Sequence, residues 1–295
     1  MHLPDDASEY DAGVVNGGLR DDERAWFKQK LQDLLTAGEL SADERGCVDL
    51  QALVMQHVVT LDPERWAARS PAIREGMPAR LSSAAWTVSV SRGDVAVVAA
   101  ECRVTGDWLP LLITSFMWGW GTNGTGPAKL QWVLEGQQDR LSPVLGLDEI
   151  RLRLAQAVCV LGRDGAGSAY DFFREGGRIP HLGPAFFTKF LYFAGRATDV
   201  PGASPLILDS RLAERMTWFW KRRRGEPYAA NARPAQWLWQ GPGWSTYRYR
   251  IYLACLNRLA DQLSDGGQRW TPDLVELLLF RHNPADDLGP VTAGS

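Results

Sequence analysis

The 295-residue sequence predicts a mainly α-helical protein. Three observations carry the prediction. Apolar residues recur at helical spacing along most of the chain, helix-start signals such as Asp107 and the Thr271-Pro272 pair precede those stretches, and neither an internal repeat nor a low-complexity linker interrupts them.

In chain order, residues 1–20 are acidic and glycine-containing and are expected to form a flexible tail. Asp22 to Leu35 reads as an amphipathic helix with Trp26, Phe27, Leu31, Leu34 and Leu35 on one face, ended by Gly38. A second helix is expected over Ala42 to Val58. The run Trp86-Thr87-Val88-Ser89-Val90 alternates as a strand does, but Asp94 suits the cap of a short helix reaching Cys102, and the helix is the preferred reading of 88–98. Asp107 is expected to cap Trp108 to Trp118, which runs into a glycine-rich loop over 119–126. Further helices are expected at Asp148 to Leu161, Pro184 to Gly195, Ser210 to Arg222 and Thr246 to Leu263. A last one runs to Arg281, with Thr271 and Pro272 as its cap and first residue. The organisation expected is one helical domain over 21–285 between flexible tails, 1–20 and 286–295.

Composition narrows the function classes. With 45% hydrophobic residues the chain can bury a sizeable core, as one large domain or as two lobes sharing a cleft. No apolar run approaches the roughly 20 residues of a membrane helix, and Asp5, Asp6, Glu9 and Asp11 are the opposite of a signal peptide, so a cytoplasmic location is expected. Cys47, Cys102, Cys159 and Cys255 are too scattered for a zinc knuckle or an iron–sulfur loop and are expected to be buried thiols. The four histidines show no metal spacing, so neither a metal nor another cofactor is expected. The loop at 119–126 is not a Walker motif, because Lys129 is followed by neither Ser nor Thr.

The net charge of −3 hides an asymmetry. Between Ser210 and Arg258 stand ten cations (Arg211, Arg215, Lys221, Arg222, Arg223, Arg224, Arg233, Arg248, Arg250, Arg258) against two acids, Glu214 and Glu226. Such an excess suits a polyanion, although Lys221 to Arg224 also suits a helix C-terminus. The thirteen tryptophans cluster as Trp118-Trp120, Trp218-Trp220 and Trp237-Trp239-Trp244. Most tryptophans fill cores, but flat faces also hold planar ligands.

The most informative stretch is Ile179-Pro180-His181-Leu182-Gly183-Pro184, followed by a helical run from Ala185 to Gly195 and then by Pro205-Leu206-Ile207-Leu208-Asp209-Ser210-Arg211-Leu212-Ala213. Pro and Gly around Leu182 turn the chain tightly and turn backbone N–H groups at the next helix start outward, where a phosphate can meet them. Leu206 to Leu208 deliver Asp209 to a partly desolvated helix start. An Asp there is ordinarily an N-cap, and that role is compatible with chemistry.

Ile179 to Ala213 resembles the helix-hairpin-helix DNA glycosylase superfamily, in particular its 8-oxoguanine-glycosylase-like branch. The hairpin is similar to that family's L-P-G-V-G, with His181 replacing the first glycine, and Asp209-Ser210-Arg211-Leu212-Ala213 resembles its catalytic-aspartate motif. Ser115 to Leu130, SFMWGWGTNGTGPAKL, resembles a segment of the bacterial proteins with this fold. A monomer is expected, and the resemblance implies a two-lobed helical fold with a central cleft and double-stranded DNA as partner with a modified base extruded. It also implies Asp209 as the carboxylate that faces the oxocarbenium-like sugar as the N-glycosidic bond breaks.

The resemblance departs at one place. The Schiff-base lysine of eukaryotic members stands two residues after the second hairpin glycine, where this chain has Ala185, and Lys189 lies one helical turn, about 6 Å, further on. A lysine resembling Lys189 serves base recognition in archaeal relatives. A monofunctional enzyme using Asp209 and water is therefore the preferred expectation, with lyase chemistry through Lys189 as the alternative. DNA contacts are expected from Arg178, His181, Gly183, Arg211, Lys221, Arg222, Arg223 and Arg224, and a base pocket from Trp118, Trp120, Phe187, Trp239 and Trp244. The first substrate reading is a sugar-decorated cytosine of phage DNA, excised in antiviral defence, for which a roomy Gly and Trp loop would leave space; the alternative is repair of 8-oxoguanine. A non-catalytic module that recognises modified DNA is the further alternative.

Overall fold

The computed structural model describes residues 3–37, 49–82, 87–122, 124–136, 145–223, 244–264 and 268–288. These residues form fifteen helices and one two-stranded sheet. The chain divides into a terminal unit, Met1–Val54 with Leu208–Ser295, and a central unit, Met55–Ile207. No helix among the described residues is long and apolar enough to cross a membrane.

The terminal unit begins with α1 (Glu9–Gly17), α2 (Asp21–Thr36) and α3 (Leu50–Met55), whose last residue starts the central unit. The expected acidic tail is thus corrected over Glu9–Gly17. Ser8 caps α1 by accepting from the Asp11 N–H, and the 3%-exposed Asp11 carboxylate accepts from Trp220 Nε1 and from the Tyr247 hydroxyl, both at 2.8 Å. The apolar pattern that predicts α2 is its buried face: Phe27 stacks on Phe219 at 6.2 Å and meets Trp270 edge-on.

In the central unit, β1 (Val58–Leu61) pairs antiparallel with β2 (Val88–Ser91), Val59 opposite Val90. Between them lie α4 (Pro63–Ala67), α5 (Pro71–Gly76) and α6 (Ala79–Ser82). Val58 therefore belongs to a strand and not to a helix from Ala42, of which 42–48 lie outside the described residues. The two readings of 88–98 both hold in part, since β2 passes directly into α7 (Arg92–Thr105). Ser91 is its cap, and Asp94 closes a reciprocal capping box from the third helical position.

The helix α8 (Leu109–Trp120) is buried at Leu109 and from Leu111 through Trp118, with the Asp107 carboxylate accepting from the Leu109 N–H. It packs on α7, on β1, on α9 (Gly126–Glu135) and on α11 (Pro184–Arg196). Between the last two runs α10 (Leu147–Arg174), which extends well past the expected end at Leu161 because it resumes after a break at Gly165 (φ 84°, ψ 179°). A Cβ at Gly165 would stand 2.9 Å from the Pro201 carbonyl oxygen, so the backbone form and the close approach both call for glycine there.

The chain returns to the terminal unit for α12 (Ser210–Arg223), α13 (Thr246–Leu263), α14 (Pro272–Arg281) and α15 (Pro284–Leu288). The nearly all-buried α14 packs on α13, α12 and α2. The expected C-terminal tail, 286–295, begins inside α15, and its last seven residues lie outside the described ones.

Candidate functional site

In the central unit, the second half of α10 and α11 form the two helices of the predicted hairpin. The Leu182 N–H donates to the Ile179 carbonyl at 3.2 Å, closing a turn with Pro180 second and His181 third. His181 has φ 64°, the one positive φ among described residues other than glycine. A turn with proline second and positive φ third normally takes glycine or asparagine in that place. Histidine is among the types that tolerate it, so the replaced glycine of the motif keeps its backbone form. The His181 ring is exposed and lies 6.3 Å from Trp132.

Gly183 differs. Its φ of −85° suits any residue, and a Cβ there would meet nothing within 4 Å, so the side-chain-free surface beside the start of α11 is open. Its carbonyl accepts from Phe186 and Phe187, and Pro184 at the first helical position has no N–H to satisfy. Arg178, immediately before the turn, is exposed, and its carbonyl accepts from Arg153 Nη1.

Lys189 is 5% exposed and projects along the α11 face that carries Ala185, as the one-turn spacing requires. Its Nζ donates to the Ala185 carbonyl at 2.9 Å and stands 5.5 Å from the Phe186 ring centre. Phe186 stacks against Phe116 (3.9 Å, 16°) and Trp120 (5.3 Å, 17°). Trp120 is thus a half-buried member of an aromatic stack beside the lysine. Phe186, the neighbour of the expected Phe187, is the member of the Phe186-Phe187 doublet that lies beside Lys189.

Two base-pocket expectations are corrected. Phe187 is 2% exposed between Tyr170 and Phe173, filling the interface of α10 and α11. Trp118 is 4% exposed, edge-on to His57 and Phe193 at 5.5 Å each. The Arg92 guanidinium, itself buried, lies 5.4 Å from Trp118 and 5.2 Å from Tyr192. In the glycine loop, Gly126 leaves no open room, whereas a Cβ at Gly124 would meet only Arg65 Nη2, at 3.7 Å. A Cβ at Gly126 would meet Trp120 at 2.5 Å and Trp66 at 2.8 Å, so rings already occupy the room that this glycine leaves. Arg65 holds the same loop by donating to the Thr122 and Gly124 carbonyls at 3.1 Å each, a contact the sequence reading missed.

In the terminal unit, Leu208 is fully buried and Asp209 half-buried. Asp209 caps α12: its Oδ1 accepts from the Leu212 N–H at 3.1 Å and its carbonyl from the Ala213 N–H at 2.9 Å. The carboxylate is thereby held at the positive end of the α12 dipole. Arg211 next to it is exposed, 4.5 Å above the Phe280 ring.

The basic run is corrected at Arg222. Its side chain is 5% exposed, paired with Asp22 and 3.6 Å from the fully buried Glu23, and donates to the Leu288 carbonyl at 3.0 Å. Arg248 is likewise buried. Lys221 is half-buried, whereas the Arg223 side chain, Arg224 and Trp239 lie outside the described residues. Trp244 is 5% exposed in the terminal unit. Of the cysteines, Cys102 and Cys255 are buried, but Cys159 is exposed, against expectation. Burial pushes the Cys102 thiol up to about 11.

The family described as "Putative 8-oxoguanine DNA glycosylase OGG-like protein" matches over residues 52–280, more than three quarters of the chain. No curated protein and no solved structure matches. The match covers the hairpin, Lys189, the aspartate motif and the Gly and Trp segment alike, and on that breadth the chain belongs to the OGG-like 8-oxoguanine DNA glycosylase family.

Proposed function

We propose that the protein is a monofunctional DNA glycosylase that extrudes an oxidised purine of the 8-oxoguanine type and hydrolyses its N-glycosidic bond. The observation that carries this reading is the continuous family match from residue 52 to 280, within which Asp209 caps α12 while staying half-exposed. As the bond between C1′ and the base nitrogen breaks, the electron pair leaves with the base and positive charge develops on the sugar. A carboxylate fixed in advance at a helix start stabilises that charge without having to reorganise. Water then adds at C1′ and loses a proton.

The lysine favours hydrolysis over lyase chemistry. The position two residues after Gly183 is Ala185, and Lys189 rests its ammonium on the Ala185 carbonyl, one turn along. In this reading Lys189 contacts the extruded base or a phosphate, and the exposed Arg178, His181 and Arg211 contribute backbone contacts to duplex DNA.

A sugar-decorated cytosine of phage DNA, excised in antiviral defence, is the second substrate reading. Its support lies in the density of aromatic faces around Trp120, while the packing against Gly126 argues for the smaller base. Duplexes carrying 8-oxoguanine, glucosylated hydroxymethylcytosine or no lesion separate the two. Base release from the first alone supports the proposal, release from the second alone replaces the substrate, and tight binding without release from either identifies a recognition module. Borohydride trapping of a covalent DNA adduct that disappears in Lys189→Ala would contradict monofunctional hydrolysis.

A further inference from the structure

Gly119 lies near the end of α8, between Trp118 and Trp120. A Cβ built on it would stand 2.5 Å from Lys189 Cδ and 2.7 Å from Lys189 Cε, distances that real Cβ atoms essentially never show. The next atom, Phe186 Cε1, is at an ordinary 3.6 Å. The alkyl stem of Lys189 therefore lies directly against the bare Cα of Gly119. From there the ammonium reaches the Ala185 carbonyl beside the Phe186 face. We infer that Gly119 is a positioning residue for Lys189: its missing side chain is the seat of the lysine stem, and this seat fixes where the ammonium stands. The functional meaning of the seat rests on the reading of Lys189 as a nucleotide contact.

Two features set this apart from a glycine kept for the fold. Gly119 is helical with no positive φ, so its backbone form does not require glycine, and in a helix alanine is ordinarily the better residue. The only atoms an added methyl group would press into belong to the distal, flexible part of one lysine. Gly119→Ala should leave α8 folded and move Lys189. A displaced ammonium loses the Ala185 carbonyl and, with its stem lifted from the seat, becomes more accessible to solvent. A misplacement of about 1 Å in a group that orients substrate can cost about 10²-fold in rate.

The experiment compares wild type, Gly119→Ala, Lys189→Ala and the double variant. It reads the thermal midpoint, the rate of reductive dimethylation at Lys189 by peptide mass spectrometry, and single-turnover excision of the released base. Gly119→Ala is expected to stay folded, to label at Lys189 several-fold faster than wild type, and to lose excision by about ten- to a hundredfold. In the Lys189→Ala background the same change should cost no further activity, and its midpoint should be equal or higher. Unchanged labelling in folded Gly119→Ala overturns the inference. So does a double variant that fails to fold, since the glycine would then serve the backbone. Faster labelling with unchanged excision leaves the seat standing but overturns Lys189 as a nucleotide contact, without touching hydrolysis through Asp209.

Discussion

Asp209 serves the fold as a helix cap, and the proposed chemistry asks a second task of the same side chain. As cap it satisfies an N–H at the start of α12, and the residue is half-buried at that helix start, where the proposed chemistry would use its charge. Arg222, on the same helix, shows the opposite outcome. Sequence counts it among the cations offered to a polyanion, yet its guanidinium is enclosed by Asp22, Glu23 and the Leu288 carbonyl, with Trp218 5.0 Å away. Removing it would leave the fully buried Glu23 without that partner, so Arg222→Ala should destabilise the protein by about 3 kcal/mol. Lys221→Ala, at a half-buried position, should lower the thermal midpoint less than Arg222→Ala does and weaken DNA binding. Thermal melts paired with DNA titrations check both, and equal midpoints for the two variants would refute the contrast. Charge counting alone does not separate these neighbours, because burial depends on α2, some two hundred residues away in sequence.

Among the elements, helices long enough to show their periodicity were legible: α2, α8, α11, α12, α13 and α14 lie within about two residues of expectation. The short helices α4 and α5 were not, although Asp62-Pro63 and Ser70-Pro71 are the same cap-and-proline signal that marked α14. Helices of five or six residues show too little periodicity to draw attention to that signal. The small sheet escaped for a related reason. Four-residue strands gain their hydrogen bonds from a partner thirty residues away, and local pattern does not name that partner. In α10 the expected helix stops at Leu161, whereas the helix breaks only at Gly165 and resumes to form the first arm of the hairpin. Its φ and ψ lie in a region essentially confined to glycine, and the Pro201 carbonyl closes the space above it. Gly165→Ala should therefore cost about 2 kcal/mol or more, read as a lowered denaturation midpoint in urea, and a midpoint within error of wild type would show that the break tolerates a side chain.

Across the whole molecule, the hairpin, Lys189 and the aromatic stack belong to the central unit, while Asp209 opens a helix of the terminal unit. The terminal unit is discontinuous, and its first helices, outside the family match, are part of its core. Asp11 accepts from Trp220, Phe27 stacks on Phe219 and Asp22 pairs with Arg222, so α12 is held along its length by residues that precede the matched region. The sequence marked the motif residues and left this support unseen, because the acidic composition of residues 1–20 resembles that of a solvated tail. What the whole assembly is proposed to accomplish depends on a single anion opposite an emerging sugar cation. The most direct test is single-turnover base release from an 8-oxoguanine duplex by wild type and Asp209→Asn. Asparagine keeps the capping oxygen and removes only the charge, so release should fall by at least about 10²-fold while DNA affinity stays within about twofold. Release at the wild-type rate by Asp209→Asn would contradict the account.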